Sequence, residues 1–135
     1  MITAIDSNVL IDVFGMDPHF HERSKAALRR CLEDGAVACS DVVYAELASQ
    51  FGASSGLDEA FDAWNIAYAP VEIEAARMAG LKWREYRKNK GKRDRLVADF
   101  LVGAHATLQC DRLLTRDRGF YRAYFSKLKI FDPSI

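Results

Sequence analysis

The sequence predicts an α/β fold, a three-layer α/β/α sandwich around a four- or five-stranded, mainly parallel sheet. Short apolar runs alternate with helical patterns along all 135 residues. Strands that are separated by helices need crossover connections, and these make neighbouring strands parallel. Half of the residues are hydrophobic, and a chain of this length buries roughly two thirds of its unfolded surface. We therefore expect one domain over residues 1–135.

The predicted elements follow from hydrophobic spacing and from capping residues. Apolar runs bounded by polar residues predict strands at 2–5, 36–40, 66–71, 112–115 and 127–131. Helical spacing predicts helices at 7–14, 21–33, 42–51, about 57–64, 72–90, 95–110 and 118–125. Gly35 and Gly91 are expected to end the helices that precede them. Ser40 or Asp41 can cap the helix at 42–51, because a short side-chain oxygen accepts from the free amides of a first turn.

The cysteines, the first residues and the lengths of the apolar runs exclude several classes of protein. Cys31, Cys39 and Cys110 are scattered, and no CxxC pair occurs, so neither a zinc cluster nor a disulfide framework is indicated. Free thiols fit a reducing cytoplasm, which is the location we expect. The first residues lack the basic segment and long apolar run of a signal peptide. No apolar run approaches the length of a membrane span.

Charge is divided unevenly along the chain, although the net charge is zero. Residues 1–74 contain 13 acids and 4 bases, and residues 75–135 contain 6 acids and 15 bases. This asymmetry indicates either a basic surface that can hold an anion, or two helices with oppositely charged solvent faces.

Four acidic residues stand where a parallel sheet would gather them. Two follow strands, one lies on a helix that starts after a strand, and one lies early in an apolar helix: Asp6, Asp117, Glu46 and Asp99. Because open parallel sheets bind ligands beyond the carboxyl ends of their strands, all four could converge on one rim. Converging carboxylates repel one another, and a divalent cation would remove that cost. Oxygen-only ligands indicate Mg²⁺ or Mn²⁺.

Each acid also has an ordinary interpretation. Asp6 and Asp117 could cap the helices that follow them, and a helical Glu46 is usually solvated. Asp99 shares its helix side with small or apolar residues, so it either needs a cation or is half solvated at the helix N-terminus. Asp12 is predicted to be a solvent-facing helix residue. His105 is expected to be a hydrogen-bonded core residue, because it lies within the apolar helix.

Four segments together resemble a known family. The segments are AIDSNVLID, VVYAEL, RLVADFLVGAHA and LLTRDRGF. In order and in spacing they resemble the blocks of a PIN-domain nuclease. The chain is most similar to the VapC-type toxin ribonucleases of type II toxin–antitoxin pairs. The resemblance covers nearly the whole chain.

The resemblance implies both a chemistry and a set of residues. Its four acidic positions, as metal ligands and catalytic residues, fall on Asp6, Glu46, Asp99 and Asp117. Asn8 and Thr115 match positions that support the acids by hydrogen bonding. The implied reaction is hydrolysis of RNA phosphodiester bonds with Mg²⁺ or Mn²⁺, in which a metal-activated water attacks the phosphate. Arg116 and Arg118 flank the last acid and are the first candidates for contact with the substrate.

The resemblance also implies partners. RNA, with tRNA among the candidates, is the expected substrate class, and the basic stretch 82–95 could lie along its backbone. A co-encoded antitoxin and a second copy of the chain are the expected protein partners. Three alternatives stay open: a PIN domain that is not a toxin, a degenerate PIN domain that only binds RNA or protein, and a haloacid-dehalogenase-like phosphatase. The phosphatase is disfavoured, because Asn8 stands where its general acid would be.

Overall fold

The structure is a computed structural model that describes residues 1–53, 56–89 and 95–135. Strands and helices alternate along these residues. In chain order they are β1 (Ile2–Ile5), α1 (Ser7–Phe14), α2 (His21–Asp34), β2 (Ala36–Cys39), α3 (Asp41–Phe51), α4 (Leu57–Trp64), β3 (Ile66–Tyr68), α5 (Ile73–Lys88), α6 (Val97–Gln109), β4 (Arg112–Leu114), α7 (Arg118–Tyr124) and β5 (Ile130–Phe131).

The five strands form one parallel sheet in the order β3-β2-β1-β4-β5. This confirms the predicted α/β class with a parallel sheet. The chain first moves outward from β1 to β3, then returns past β1 to build β4 and β5. With right-handed crossovers, α1–α4 lie on one face of the sheet and α5–α7 on the other. The direction of the chain reverses between β1 and β4, and ligands of parallel sheets bind at such a point.

Short side chains begin two of the helices at the carboxyl ends of strands. The Asp6 carboxylate accepts a hydrogen bond from the Ser7 backbone N–H at 2.8 Å, at the start of α1. The Ser40 hydroxyl accepts from the Val43 N–H at 3.2 Å, at the start of α3, as predicted. Both caps satisfy amides that have no partner within the helix.

The element bounds differ from the prediction mainly at strand ends. The strand expected at 66–71 stops at Tyr68, since Pro70 has no N–H to donate to a ladder. The strand expected at 127–131 is reduced to two residues, because Leu128 N–H bonds back to Phe125 in a turn. The helix expected from residue 95 starts at Val97. The predicted end of the 72–90 helix at Gly91 lies outside the described residues.

The cysteines and His105 are found in the states that the sequence predicts. Cys31, Cys39 and Cys110 are all free. His105 is buried, and its Nε2 lies 2.8 Å from the Ala69 carbonyl oxygen, so its prediction as a hydrogen-bonded core residue is confirmed. Across the described ranges, no helix is both long and apolar enough to cross a membrane.

Gly103 allows α6 to approach the end of α7. A Cβ built on Gly103 would lie 2.3 Å from a ring carbon of Phe125, which is buried. Such a separation is far below van der Waals contact, and a buried ring has little room to move. The absence of a side chain at residue 103 is therefore a packing requirement of this interface.

Gly103→Ala is expected to lower the free energy of unfolding by about 2 kcal/mol, because overpacking displaces the Phe125 ring. Urea unfolding followed by circular dichroism measures the change. The matched control is Gly80→Ala on α5, where a Cβ meets nothing within 4 Å. That variant should gain up to about 1 kcal/mol from helix propensity. Equal effects of the two substitutions would contradict this account of Gly103.

Candidate active site

Asp6 lies at the carboxyl end of β1, where the chain reverses direction between β1 and β4. Its N–H continues the β1–β4 ladder by donating to the Leu114 carbonyl at 3.0 Å. The residue is only 6% exposed. Besides Ser7 N–H, the carboxylate accepts hydrogen bonds from the Thr115 hydroxyl at 2.8 Å and the Tyr121 hydroxyl at 3.1 Å. A carboxylate is thus held inside the protein by groups from three elements or their ends.

Burial raises the pKa of Asp6 above its ordinary value. Hydrogen bonds from Thr115, Ser7 and Tyr121 oppose this shift, and the negative charge of Asp117 adds to it. The pKa of Tyr121 is raised too, mainly by burial and then by the charge of Asp6. Tyr121 therefore stays protonated and keeps donating to Asp6. The site carries negative charge that its own hydrogen bonds compensate only in part.

Asn8 and Thr115 tie the end of β4 to the end of β1. The Asn8 amide donates to the Thr115 hydroxyl at 3.2 Å and approaches Asp6 at 3.4 Å. Its carbonyl oxygen accepts from the Arg116 N–H at 3.1 Å. The Thr115 hydroxyl accepts in turn from the Asp117 N–H at 3.0 Å. Two acids from strands far apart in sequence are thereby fixed relative to each other.

Glu46 contributes to the same negative field from α3. Its pKa is raised by partial desolvation and then by the charges of Asp6 and Asp99, while a hydrogen bond from Ser7 opposes the shift. The residue itself is exposed. Its carboxylate thus faces the other acids from the solvent side. We call the group of Asp6, Glu46, Asp99 and Asp117 at this edge of the sheet the acidic rim.

Asp99 and Asp117 share one arginine. The Arg95 guanidinium bonds Asp117 at 2.6 and 3.4 Å and lies 3.9 Å from an Asp99 oxygen. The Asp99 and Asp117 side chains are 34% and 36% exposed. Asp99 also accepts a hydrogen bond from the Leu96 N–H at 3.0 Å. It therefore caps the N-terminus of α6, as in one of its two interpretations. The half-solvated position is the observed one.

The four acids are coupled electrostatically, but they do not form a ready-made cage. Over residues 1–53, 56–89 and 95–135, no three His, Cys, Asp or Glu side chains lie close enough to hold one metal ion. Arg95 supplies positive charge where Asp99 and Asp117 approach each other. The donor set is nevertheless of the kind that Mg²⁺ or Mn²⁺ prefers, because it contains carboxylate oxygens and no sulfur or imidazole. The chemistry of these residues therefore fits a divalent cation.

Asp12 was predicted to face solvent, and that prediction is wrong. Its side chain is 2% exposed and forms a two-point ion pair with Arg116, at 2.7 and 3.0 Å. The Ser24 hydroxyl donates to the same carboxylate at 2.7 Å. The Arg116 guanidinium also lies 4.0 Å above the Phe20 ring. Arg116 is thus engaged in joining α1, α2 and the end of β4, which favours a structural role over contact with a substrate.

Arg118 is the more accessible of the two arginines that flank Asp117. Its side chain is 40% exposed and lies 3.7 Å from Asp132. This single long contact leaves most of its guanidinium donors open to other partners.

Two residues of the site were not identified in the sequence. Tyr121 was not singled out, although its position four residues after Asp117 places it one helical turn into α7. Arg95 was hidden within the basic stretch 82–95, of which residues 90–94 lie outside the described part of the chain. Neither signal was specific enough to separate these two residues from their neighbours.

A family model described as the PIN domain matches residues 3–126. The chain belongs to the PIN-domain family. A comparison with curated protein sequences found no match. The parallel sheet described above is therefore that of a PIN domain.

Solved structures similar to this PIN domain include toxin–antitoxin proteins. VapBC2 from Rickettsia felis, bound to a promoter DNA fragment, gives a TM-score of 0.77 at 16% identity over 98% of both chains. FitAcB from Neisseria gonorrhoeae gives 0.68 at 27% identity over 99% of both chains. VapC20 from Mycobacterium tuberculosis, a toxin that cleaves the sarcin–ricin loop, gives 0.61 at 16% identity over 94% of this chain and 98% of that one.

Arg116→Gln is expected to lower the free energy of unfolding by about 3 kcal/mol, because it leaves the buried Asp12 carboxylate without its cation. Urea unfolding measures the loss. The control is Arg30→Gln, since Arg30 is exposed and Asp34 keeps Arg112 as a partner. That change should stay within about 0.5 kcal/mol. Unchanged stability of Arg116→Gln, with loss of nuclease activity, would restore Arg116 as a substrate contact.

Asp6→Asn is expected to gain stability relative to the wild-type protein as the pH rises from about 4 to neutral in EDTA. Because its pKa is raised on folding, Asp6 binds a proton more tightly in the folded state, so its contribution to stability falls as pH rises above its ordinary value. The amide carries no charge and lacks this cost. Urea unfolding at several pH values should show the stability of Asp6→Asn relative to the wild type falling as the pH is lowered toward about 4. A stability difference that does not change with pH would contradict the raised pKa of Asp6.

Proposed function

We propose that this PIN domain is a VapC-type toxin ribonuclease that hydrolyses RNA phosphodiester bonds with Mg²⁺ or Mn²⁺. The observation that carries the proposal is the buried Asp6 carboxylate at the β1–β4 reversal, electrostatically coupled to the acids around it. Membership of the PIN-domain family supports nuclease activity. The similarity to VapC20, which cleaves the sarcin–ricin loop, supports RNA as the substrate class.

Asp6, Glu46, Asp99 and Asp117 would hold the divalent cation. A bound divalent cation supplies charge neutralisation on the phosphate and lowers the pKa of a water that attacks it. No histidine or serine nucleophile is required for this chemistry, and His105 is already occupied with the Ala69 carbonyl.

The surrounding residues orient the acids. Thr115 and Tyr121 donate to one oxygen of Asp6 and the Ser7 N–H to the other, so the carboxylate cannot rotate freely. Thr115 also accepts from the Asp117 N–H and thus couples the positions of the two acids. Such fixed orientation lowers the reorganisation needed when charge develops in the reaction. Asn8 and Thr115 are therefore proposed as positioning residues.

The RNA backbone would approach along the basic second half of the chain. Arg118 is the leading candidate for a phosphate contact, because it is exposed beside Asp117 and only loosely held by Asp132. Residues 82–89 of the basic stretch lie on α5 and its end. Cationic side chains near the acids would offset their repulsion of phosphate.

The proposed protein partners are a cognate antitoxin and a second copy of the chain. VapBC2 from Rickettsia felis is bound to a fragment of promoter DNA, and a toxin–antitoxin complex from Klebsiella pneumoniae has a similar fold. These similarities support a similar assembly here. An antitoxin that covers the acidic rim would block the access of RNA. A cytoplasmic location stays a prediction.

The alternatives differ in what they require of the same residues. A degenerate PIN domain would bind RNA or protein without cleavage, and the presence of all four acids disfavours it. A haloacid-dehalogenase-like phosphatase needs a general acid two residues after Asp6. Asn8 is an amide that bonds to Thr115 and Arg116, which disfavours that chemistry.

Asp6→Asn and Asp117→Asn should each reduce cleavage of labelled RNA by roughly 100-fold or more, because each removes a charged ligand of the cation. Cleavage by the wild-type protein should require Mg²⁺ or Mn²⁺ and stop in EDTA. The assay is denaturing gel electrophoresis of structured and single-stranded RNA.

Arg30→Gln is the control, since its ion pair lies on the exposed side of α2. Full cleavage by Asp6→Asn, or cleavage undiminished in EDTA, would refute the proposal. RNA binding without cleavage by the wild-type protein would favour the degenerate PIN domain, and turnover of small phosphoesters would favour the phosphatase.

A further inference from the structure

Arg95 is bound to two of the proposed metal ligands. One of its nitrogens lies 2.6 Å from an Asp117 oxygen and 3.9 Å from an Asp99 oxygen. A second nitrogen reaches the other Asp117 oxygen at 3.4 Å. The guanidinium therefore engages both oxygens of Asp117 and brings its positive charge between the two carboxylates.

An aromatic ring keeps the guanidinium at this position. The Arg95 Cζ lies 4.4 Å above the centre of the Phe120 ring, and Phe120 is buried against Phe100. A cation over an aromatic face is attracted by the ring electrons and prefers that position to a free one in solvent. The contact therefore holds a partly exposed guanidinium against the aromatic residues of α6 and α7.

Among the described residues, the other arginines near the rim are directed to different acids. Arg116 pairs with Asp12 and Arg118 with Asp132. Arg95 alone in these ranges forms an ion pair with Asp99 or Asp117. Its role at the acidic rim is therefore separate from that of the arginines that flank Asp117 in the sequence.

We propose that Arg95 is a built-in counter-ion that competes with the divalent cation for Asp99 and Asp117. The inference rests on the proposed function, which assigns these acids to the cation. An arginine cannot lose its proton in a protein, so it can only be displaced as a cation. Asp117 accepts hydrogen bonds from Arg95 on both oxygens, and an Asp99 oxygen lies within ion-pair distance of it. Metal binding must therefore break the Arg95 pair, and the affinity for metal is lowered by the strength of that pair.

The competition also has a benefit for the metal-free protein. Without a counter-ion, the carboxylates of Asp99 and Asp117 would repel each other and the other acids of the site more strongly. Arg95 neutralises part of this charge at a partly exposed position, where it can leave and return without opening the core. Arg95 thereby limits the carboxylate repulsion that would destabilise the metal-free protein, until a divalent cation binds the carboxylates.

The test is direct titration of Mn²⁺ into the purified protein, with free Mn²⁺ measured by its electron paramagnetic resonance signal. Arg95→Gln should bind Mn²⁺ about tenfold more tightly than the wild-type protein, because the competing cation is gone. Arg95→Lys keeps the charge but loses the two-point contact, so its affinity should lie between the two. Arg30→Gln is the control for loss of a positive charge elsewhere and should match the wild type.

A second readout is thermal unfolding in EDTA and in saturating Mn²⁺. Arg95→Gln should melt lower than the wild type in EDTA and gain more from Mn²⁺. In an Asp117→Asn background, Arg95→Gln should change Mn²⁺ affinity much less, because the contested ligand is gone.

Equal or weaker Mn²⁺ binding by both Arg95 variants, with binding by the wild type intact, would overturn the inference and leave the proposed function standing. Absence of Mn²⁺ binding in the wild type and in every variant would overturn both. If Arg95→Gln does not fold, Arg95→Lys decides the matter on its own, since tighter binding supports competition and unchanged binding refutes it.

Discussion

The burial of one carboxylate, that of Asp6, is the constraint on which the rest of the site depends. Asp6 stands at the reversal between β1 and β4, and three donors from the start of α1, the end of β4 and α7 converge on it. Charge in such a place is costly unless it is compensated. The hydrogen bonds reduce this cost without removing it, because the pKa of Asp6 stays raised. The neighbouring acids then add repulsion, so the rim favours cations.

The rim accommodates its negative charge in two ways. Near the core, neutral donors such as Thr115 and Tyr121 hold Asp6. Nearer to solvent, Arg95 supplies a full positive charge to Asp117 and Asp99. The division follows from solvation, since a guanidinium with a partly exposed head retains water that a buried one would lose. Stability and the capacity to bind a divalent cation are thus served by different groups around the same acids.

The fold could be predicted from the sequence more fully than the site. Apolar runs that end in Asp6 or before Asp117 identify strand ends, and the parallel sheet then brings those ends together. Asp12 was misassigned, because the local pattern of α1 does not show a partner 104 residues away. Arg95 was missed for a related reason: a basic run indicates charge, but which member folds back onto an acid depends on packing against Phe120.

Two arginine–aspartate pairs of nearly equal length have different consequences here. Arg116 lies 2.7 Å from Asp12, and Arg95 lies 2.6 Å from Asp117. The Asp12 side chain is 2% exposed, whereas that of Asp117 is 36% exposed. An acid sealed in the core cannot exchange its cation without unfolding around it, so its pair acts as a fixed joint. An acid in contact with water can exchange one cation for another, because solvent screens both the lost and the gained attraction. Exposure of the carboxylate, and not the length of the bond, therefore separates an arginine that holds the fold from one that a metal can replace.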